Sequence, residues 1–196
     1  MKTILIDCDD VLLQWSEGFR LFFEHRHQTT LDPRGNADWD LKEWLGLDVY
    51  DVSREINEFN LYSWEFGCLP PIAGAIEAIK KLNDLHKFEF VVISSCSTNL
   101  QTIALRRTNL FHIFGDVFKE VHCVELGESK STLLADYFPT FWIEDNVKNA
   151  LLGLEYGHTP IVIENLRNVR FKNETKDRVT WCKDWEEIES TITMRK

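Results

Sequence analysis

The stretch ILIDCDDVLLQW, residues 4–15, places three aspartates directly after an apolar run. Asp7, Asp9 and Asp10 repel one another, and burying ionised carboxylates costs several kcal/mol each unless a positive group accompanies them. The stretch is therefore either a solvated turn or the end of a buried strand at which a cation binds. The residues that follow the other apolar runs distinguish these two interpretations.

Composition limits the classes of partner that the chain can bind. A net charge of −10 over 196 residues argues against general nucleic-acid binding and against anionic membranes, but it permits a small anionic substrate bound through a metal. No run approaches the ~20 apolar residues of a membrane span, so no membrane association is expected. The five cysteines lack a C-x-x-C pair, which predicts reduced thiols and a cytoplasmic location.

Short apolar, β-branched runs alternate with helical patterns along the chain. Such alternation predicts an α/β fold with a doubly wound parallel sheet, whose ligands bind at the carboxyl ends of the strands. Strands are predicted at 3–7, 88–94, 119–125, 140–144 and 159–164, and helices at 72–85, 98–110, 129–138 and 146–157.

One segment, residues 14–70, is far longer than a crossover between two strands requires. It contains two helical patterns, WSEGFRLFFEHRH and VYDVSREINEF, separated by the turn-rich TTLDPRGNADWD and closed by Pro70 and Pro71. We therefore predict a small helical cap over residues 14–70, inserted into an α/β core made of residues 1–13 and 71–196.

Three predicted strands end in residues that can bind or attack a phosphate group. These residues are Asp7 and Asp9, the pair Ser94 and Ser95, and the pair Glu144 and Asp145, while Lys130 opens the helix before the fourth strand. Mg²⁺ prefers hard oxygen ligands, which Asp7 and Asp145 can supply. One carboxylate can attack phosphorus, its neighbour can protonate the leaving alkoxide, and hydroxyls with a lysine can bind the remaining oxygens. This set predicts phosphoryl-transfer chemistry.

The same residues resemble the motifs of the haloacid dehalogenase superfamily. ILIDCDDVL resembles its first motif, an apolar strand followed by D-x-D-x-[TV], and VVISS, Lys130 and FWIEDN resemble the second, third and fourth motifs in the same order. The resemblance implies a phosphatase in which Asp7 is the nucleophile and Asp9 the acid–base residue. It also implies an Mg²⁺ ion held by Asp7, the backbone carbonyl of Asp9 and Asp145, with Glu144 as an outer partner.

The phosphate ligands implied by this resemblance are Ser94, Ser95 and Lys130. Two of these assignments have alternatives within the sequence. Ser95 is equally consistent with an N-cap of the following helix, and Lys119 and Lys148 are also in range of the predicted site.

A narrower resemblance is to the 5'(3')-deoxyribonucleotidases of that superfamily, which carry a helical cap in the same place. SWEFGCLPPIAGAIEAIKKL is similar to their F/W-F-x-x-x-x-P-x-x-G-A stretch, and VTWCKDWEEI to their C-terminal end. This resemblance implies release of phosphate from nucleoside monophosphates, a small phosphorylated substrate. The alternatives are a polynucleotide 3'-phosphatase, a sugar-phosphate phosphatase, and, from another class, a catalytically idle binding protein.

Two further groups of residues bear on the substrate. Four aromatic side chains of the cap are candidates for stacking on a nucleobase, although a small cap must bury most of its aromatic residues: Phe19, Phe22, Trp64 and Phe66. A basic run follows the last predicted strand and is typical of a solvated loop, or else of a guide for a polynucleotide end: Arg167, Arg170, Lys172, Lys176 and Arg178.

Overall fold

A computed structural model describes residues 2–195 of the chain. Within this range six strands form one sheet in the order β3-β2-β1-β4-β5-β6, and each neighbouring pair is parallel. The strands are β1 (Lys2–Ile6), β2 (Phe88–Ser95), β3 (Phe118–Val124), β4 (Phe141–Glu144), β5 (Thr159–Ile163) and β6 (Thr180–Cys182). The predicted doubly wound α/β fold is confirmed.

Helices connect the strands and cover the sheet. They are α1 (Trp15–His27), α2 (Lys42–Leu45), α3 (Val49–Asn57), α4 (Ala75–Asp84), α5 (Leu100–Phe114), α6 (Ser131–Ala135), α7 (Val147–Glu155), α8 (Lys172–Thr175) and α9 (Trp185–Met194). Single helical turns lie at Glu58–Tyr62, Glu65–Cys68 and Val169–Phe171. None of the described helices is long and apolar enough to cross a membrane.

The sheet is buried on both faces, which explains the continuous apolar runs of its strands. In β1, Ile4 and Ile6 belong to a large core cluster that also contains Trp185 of α9. Leu5 points to the opposite face and packs with Trp142 of β4. The central strand therefore has no solvated side along its last three residues.

Two of the differences from the sequence prediction concern β6 and α6. The sequence did not predict β6, because its three residues TWC lie in a polar stretch too short to show an alternating pattern. The helix predicted at 129–138 is confined to Ser131–Ala135, and Pro139 follows shortly after it. The other predicted strands lie within about two residues of the observed ones.

The two ends of residues 14–70 lie side by side. The N–H of Gln14 donates to the carbonyl of Pro70 at 2.9 Å, and the N–H of Ile72 donates to the carbonyl of Leu12 at 2.8 Å. The segment between them contains α1, α2 and α3. Its role as a separate cap on a core of residues 1–13 and 71–196 stays a prediction.

Aromatic rings fill the interior of the segment 14–70. Phe19 stacks on Trp15 with ring centroids 5.0 Å apart, and Phe59 meets Phe19 and Phe66 edge to face at 5.6 and 5.9 Å. Phe19, Phe59 and Phe66 are fully buried. These rings supply the apolar surface that a unit of this size needs in order to pack.

The contact between α7 and β4 gives a test of the fold. A Cβ atom on Gly153 would lie 2.4 Å from the indole Cδ1 of Trp142, which is fully buried. We expect Gly153→Ala to lower the free energy of unfolding by about 1–3 kcal/mol, because the core must shift to admit a methyl group. Urea denaturation measures this change, with Lys80→Ala on the exposed face of α4 as a control that stays within about 0.5 kcal/mol. Equal stability of the two variants would contradict the packing described.

Candidate active site

The three aspartates after β1 lie where the chain leaves the sheet. The N–H of Asp7 still donates to the carbonyl of Ile143 in β4, at 2.9 Å. Asp10 adopts a left-handed backbone conformation with φ of 56°, which aspartate tolerates better than most residues. Its N–H donates to the carbonyl of Leu13 at 2.7 Å, so the chain turns tightly. Each aspartate meets a different set of partners beyond this turn.

Asp7 is paired with a buried lysine. Lys130 precedes α6, and its Nζ lies 2.8 Å from Asp7 Oδ1 and 2.8 Å from Glu144 Oε1. Burial opposes the charge of this lysine, but the two carboxylates raise the pKa of Lys130 above its usual value, so it remains a cation. Of the other lysines considered, Lys119 pairs with Glu89 at 3.6 Å and Lys148 lines the cavity near Asp7.

Glu144 is held in place on both of its oxygens. Oε1 accepts hydrogen bonds from Lys130 and from Asn149 Nδ2, each at 2.8 Å, and Oε2 accepts from the N–H of Asn146 at 2.7 Å. Its side chain is fully buried. Glu144 therefore fixes the position of the ammonium group that contacts Asp7.

Asp7, Glu144 and Asp145 bring carboxylate oxygens within 4.8 Å of one another. Burial, followed by the nearby charge of Glu144, raises the pKa of Asp7 to about 8. Burial also raises the pKa of Asp145 well above its ordinary value, although Arg167 opposes this change. Carboxylates that are costly to ionise side by side form a hard-oxygen site that a divalent cation stabilises.

Asp9 points to a different cation. Its Oδ1 lies 2.5 Å from Nη2 of Arg106, a fully buried residue of α5. Burial raises the pKa of Asp9 to about 7, although Arg106 opposes this change. A carboxyl group of this kind can hold or release a proton near neutral pH.

Asp10 forms an ion pair with a third cation. Arg167 pairs with Asp10 Oδ2, and the same Nη2 lies 3.5 Å from Asp145 Oδ2. Asp10 also accepts the N–H of Ser16 at 3.0 Å at the start of α1. The sequence placed Arg167 in a solvated loop, and this was wrong, because the residue is buried against the acidic cluster. The local sequence pattern around Arg167 does not indicate that this residue pairs with Asp10, which lies 157 residues away in the sequence.

The net charge of this group follows from these pairs. The cluster of charged side chains at this edge of the sheet contains five carboxylates and three cations. When all eight are ionised, its net charge is −2. The carboxylates are Asp7, Asp9, Asp10, Glu144 and Asp145, and the cations are Arg106, Lys130 and Arg167. A divalent cation has the charge that balances this remainder, and the oxygen ligands suit Mg²⁺.

The two serines at the end of β2 face different surroundings. Ser95 lines a cavity of about 660 Å³ together with Asp7 and Lys130. Ser94 is fully buried, and within residues 2–195 its Oγ has no hydrogen-bond partner. Neither serine caps α5, because Asn99 accepts the N–H groups of that first turn. Ser95 is thus the serine that can reach a ligand in the cavity.

The four aromatic residues chosen from the sequence do not line this cavity. Phe19 and Phe66 lie in the interior of segment 14–70, and Phe22 and Trp64 line a separate groove. The cavity is lined by Trp15 and Trp39 from that segment, with Asp7, Asp9, Ser95, Lys130, Asp145 and Arg167 from the rest of the chain. Periodicity marks a ring as buried but does not show which surface it faces, and this explains the error.

No family model and no curated protein matches the chain. Among solved structures it is similar to a haloacid dehalogenase-like hydrolase from Streptococcus pneumoniae, with a TM-score of 0.71 and 12% identity over 97% of this chain and 98% of that one. It is similar to a D,D-heptose 1,7-bisphosphate phosphatase from B. bronchiseptica, solved with magnesium and phosphate, with a TM-score of 0.62 and 13% identity over 100% of both chains. An L-2-haloacid dehalogenase from Xanthobacter autotrophicus has a TM-score of 0.61 at 10% identity, over 98% of both chains.

These similarities define the fold. The chain has the fold of the haloacid dehalogenase-type hydrolases, which phosphatases and dehalogenases share. The resemblance seen in the sequence motifs is confirmed at this level.

The acidic cluster gives a test that does not depend on activity. We expect saturating Mg²⁺, at about 100 times its dissociation constant, to stabilise the protein by about 2.7 kcal/mol. This raises the midpoint of thermal unfolding by roughly 5–10 °C for a chain of this length. Asp145→Asn should lose most of the increase, because it removes one of the carboxylates, while Asp116→Asn at an exposed position should keep it. An equal response of the two variants would place the metal elsewhere.

Proposed function

We propose that this protein is an Mg²⁺-dependent phosphate-monoester hydrolase that acts through a phospho-aspartate on Asp7. One observation carries the proposal: Asp7 shares a buried ammonium group with Glu144 and lies within the acidic cluster at the carboxyl edge of the sheet. A carboxylate, a fixed cation and hard-oxygen ligands are the parts that phosphoryl transfer requires.

The contacts favour Asp7 over Asp9 as the nucleophile. Asp7 belongs to the acidic cluster and contacts Lys130, which is placed to bind a phosphate oxygen as well. Asp9 is paired outside that cluster with Arg106, and its pKa of about 7 suits the transfer of a proton. Attack by an Asp7 oxygen forms an O–P bond, the ester O–P bond breaks, and the proton of Asp9 passes to the leaving oxygen.

The second half of the reaction uses the same residues. Asp9, now ionised, takes a proton from a water molecule that attacks the phospho-aspartate, and Asp7 is released. Asp7, Asp145 and the backbone carbonyl of Asp9 would hold Mg²⁺, which when bound offsets the repulsion between the substrate phosphate and Asp7. The proposed cap, residues 14–70, excludes bulk water during the first half.

For the substrate we propose a nucleoside monophosphate. The cavity joins the polar site to two indole rings, Trp15 and Trp39, and base–aromatic stacking contributes about 1–3 kcal/mol per base. A sugar phosphate is the second candidate, since proteins of this fold include the heptose bisphosphate phosphatase. The contacts of the basic run weaken the polynucleotide alternative: Arg167, Arg170 and Lys172 each pair with a carboxylate of the chain.

A substrate panel tests the reaction. Purified protein is assayed for phosphate release from 5'- and 3'-mononucleotides, sugar phosphates and a 3'-phosphorylated oligonucleotide, with Mg²⁺ and with chelator. We expect release that requires Mg²⁺ and falls roughly 10³-fold or more in Asp7→Asn, because that variant lacks the nucleophile. Asp116→Asn serves as the matched control with unchanged rate. Near-normal turnover by Asp7→Asn would reject the mechanism.

The aromatic wall of the cavity tests the class of substrate. The Arg167 guanidinium lies 4.4 Å from the Trp39 ring, so Trp39→Leu disturbs the site for every substrate. We expect it to raise KM for nucleoside monophosphates roughly tenfold more than KM for sugar phosphates, because only the base loses a stacking contact. Trp64→Leu, in the separate groove, is the matched control. An equal change in KM for both substrate classes would argue for a sugar phosphate or another substrate that does not contact the ring.

The salt dependence tests the polynucleotide alternative. Rates on the oligonucleotide should fall steeply with salt if a polynucleotide is the substrate.

A further inference from the structure

Helix α5 carries three polar residues on one buried face. Thr102, Arg106 and Asn109 follow one another at intervals of four and three residues, which places them on one side of a helix. All three are buried, with exposures of 0%, 0% and 4%. Buried polar side chains are costly without partners, so each of them requires an explanation.

Two of these residues fasten α5 to the end of segment 14–70. Thr102 Oγ1 donates to the carbonyl of Asn60 at 3.0 Å. Asn109 accepts the N–H of Leu69 at 3.1 Å and donates to the carbonyl of the same residue at 3.0 Å. Their hydrogen bonds satisfy backbone groups of that segment, so Thr102 and Asn109 have a structural role.

Arg106, the third polar residue of this face, contacts a residue of the proposed active site. Its Nη2 lies 2.5 Å from Asp9 Oδ1, and its guanidinium stacks on the ring of Phe66 at 4.2 Å. Within residues 2–195, its Nε and Nη1 have no hydrogen-bond partner. A buried arginine that leaves two nitrogen donors unsatisfied gains little stability, and replacing a buried ion pair by apolar groups is often neutral or stabilising.

We propose that Arg106 is a positioning residue that orients Asp9 for proton transfer. The guanidinium holds Oδ1 and leaves Oδ2, on a side chain that lines the cavity, to deliver the proton to the leaving oxygen. After the transfer the carboxylate of Asp9 remains paired with Arg106. The Phe66 ring keeps the guanidinium plane fixed, since stacked arginines lose orientational freedom. This inference rests on the proposed phosphatase function.

The experiment compares two esters that need the acid to different extents. The rate constant kcat is measured on an alkyl phosphate, which has a poor leaving group, and on 4-nitrophenyl phosphate, which has a good one. We expect Arg106→Met to lower kcat on the alkyl ester roughly 100-fold, the range of general acid catalysis, and to lower it far less on the aryl ester. Arg106→Lys should recover part of the loss, because it restores the charge but not the planar fork.

Matched variants separate positioning from a structural defect. Thr102→Val removes a hydrogen bond from the same buried face without contacting Asp9, so it should change both esters in equal proportion. Asp9→Asn should reproduce the selective loss, and Asp9→Asn combined with Arg106→Met should lose no more than Asp9→Asn alone, because the two residues act as one unit.

Three results would overturn the proposal. If Arg106→Met lowered kcat equally on both esters, Arg106 would have only a structural role. The same conclusion would follow if the losses in kcat of the two single variants added up in the double variant. Wild-type protein that releases phosphate from neither ester in Mg²⁺ would instead reject the phosphatase function itself, and the role of Arg106 with it. Activity of the wild type on the aryl ester distinguishes this last failure from the first two.

Discussion

The candidate active site depends on one buried ammonium group. Lys130 lies between Asp7 and Glu144, which follow or end the adjacent strands β1 and β4. Without a cation there, two carboxylates would share a desolvated position, and the cost would act against the fold itself. Lys130 reaches them from the turn before α6. The connection between β3 and β4 is therefore as necessary to the site as the strands that carry the acids.

The order of the strands explains why these groups converge. The chain places β2 and β3 on one side of β1 and β4, β5 and β6 on the other, so the winding direction reverses between β1 and β4. A crevice opens at the carboxyl ends of the strands where the direction reverses, and ligands of open α/β sheets bind there. Asp7 follows β1, Glu144 ends β4 and Asp145 follows it, so the acids lie on the two sides of this reversal. Topology thus concentrates negative charge where an anionic substrate would bind, and only counter-charges make this arrangement stable.

The parts of this structure that the sequence predicts are those encoded by short-range patterns. Apolar runs of β-branched residues predict five of the strands, and the acidic and hydroxyl residues after them predict which edge carries the site. Spacing contains no information on Arg106 or Arg167, since their partners lie 97 and 157 residues away. The pattern likewise does not tell the four stacking candidates, Phe19, Phe22, Trp64 and Phe66, from the rings that line the cavity, Trp15 and Trp39. A ring that is certain to be buried has several surfaces against which it can pack, and tertiary structure decides among them.

The three aspartates after β1 each contact a different cation, and each cation comes from a different part of the chain. Asp7 meets Lys130 before α6, Asp9 meets Arg106 in α5, and Asp10 meets Arg167 after β5. A solvated turn would need none of these buried partners. Lys130 also contacts Glu144 and Arg167 also contacts Asp145, so five carboxylates share three cations and two negative charges remain. Burial of these carboxylates raises the pKa of Asp7 and of Asp145. Protons or a divalent cation can supply the two missing charges. A divalent cation would leave Asp7 ionised at neutral pH, as the proposed attack on phosphorus requires.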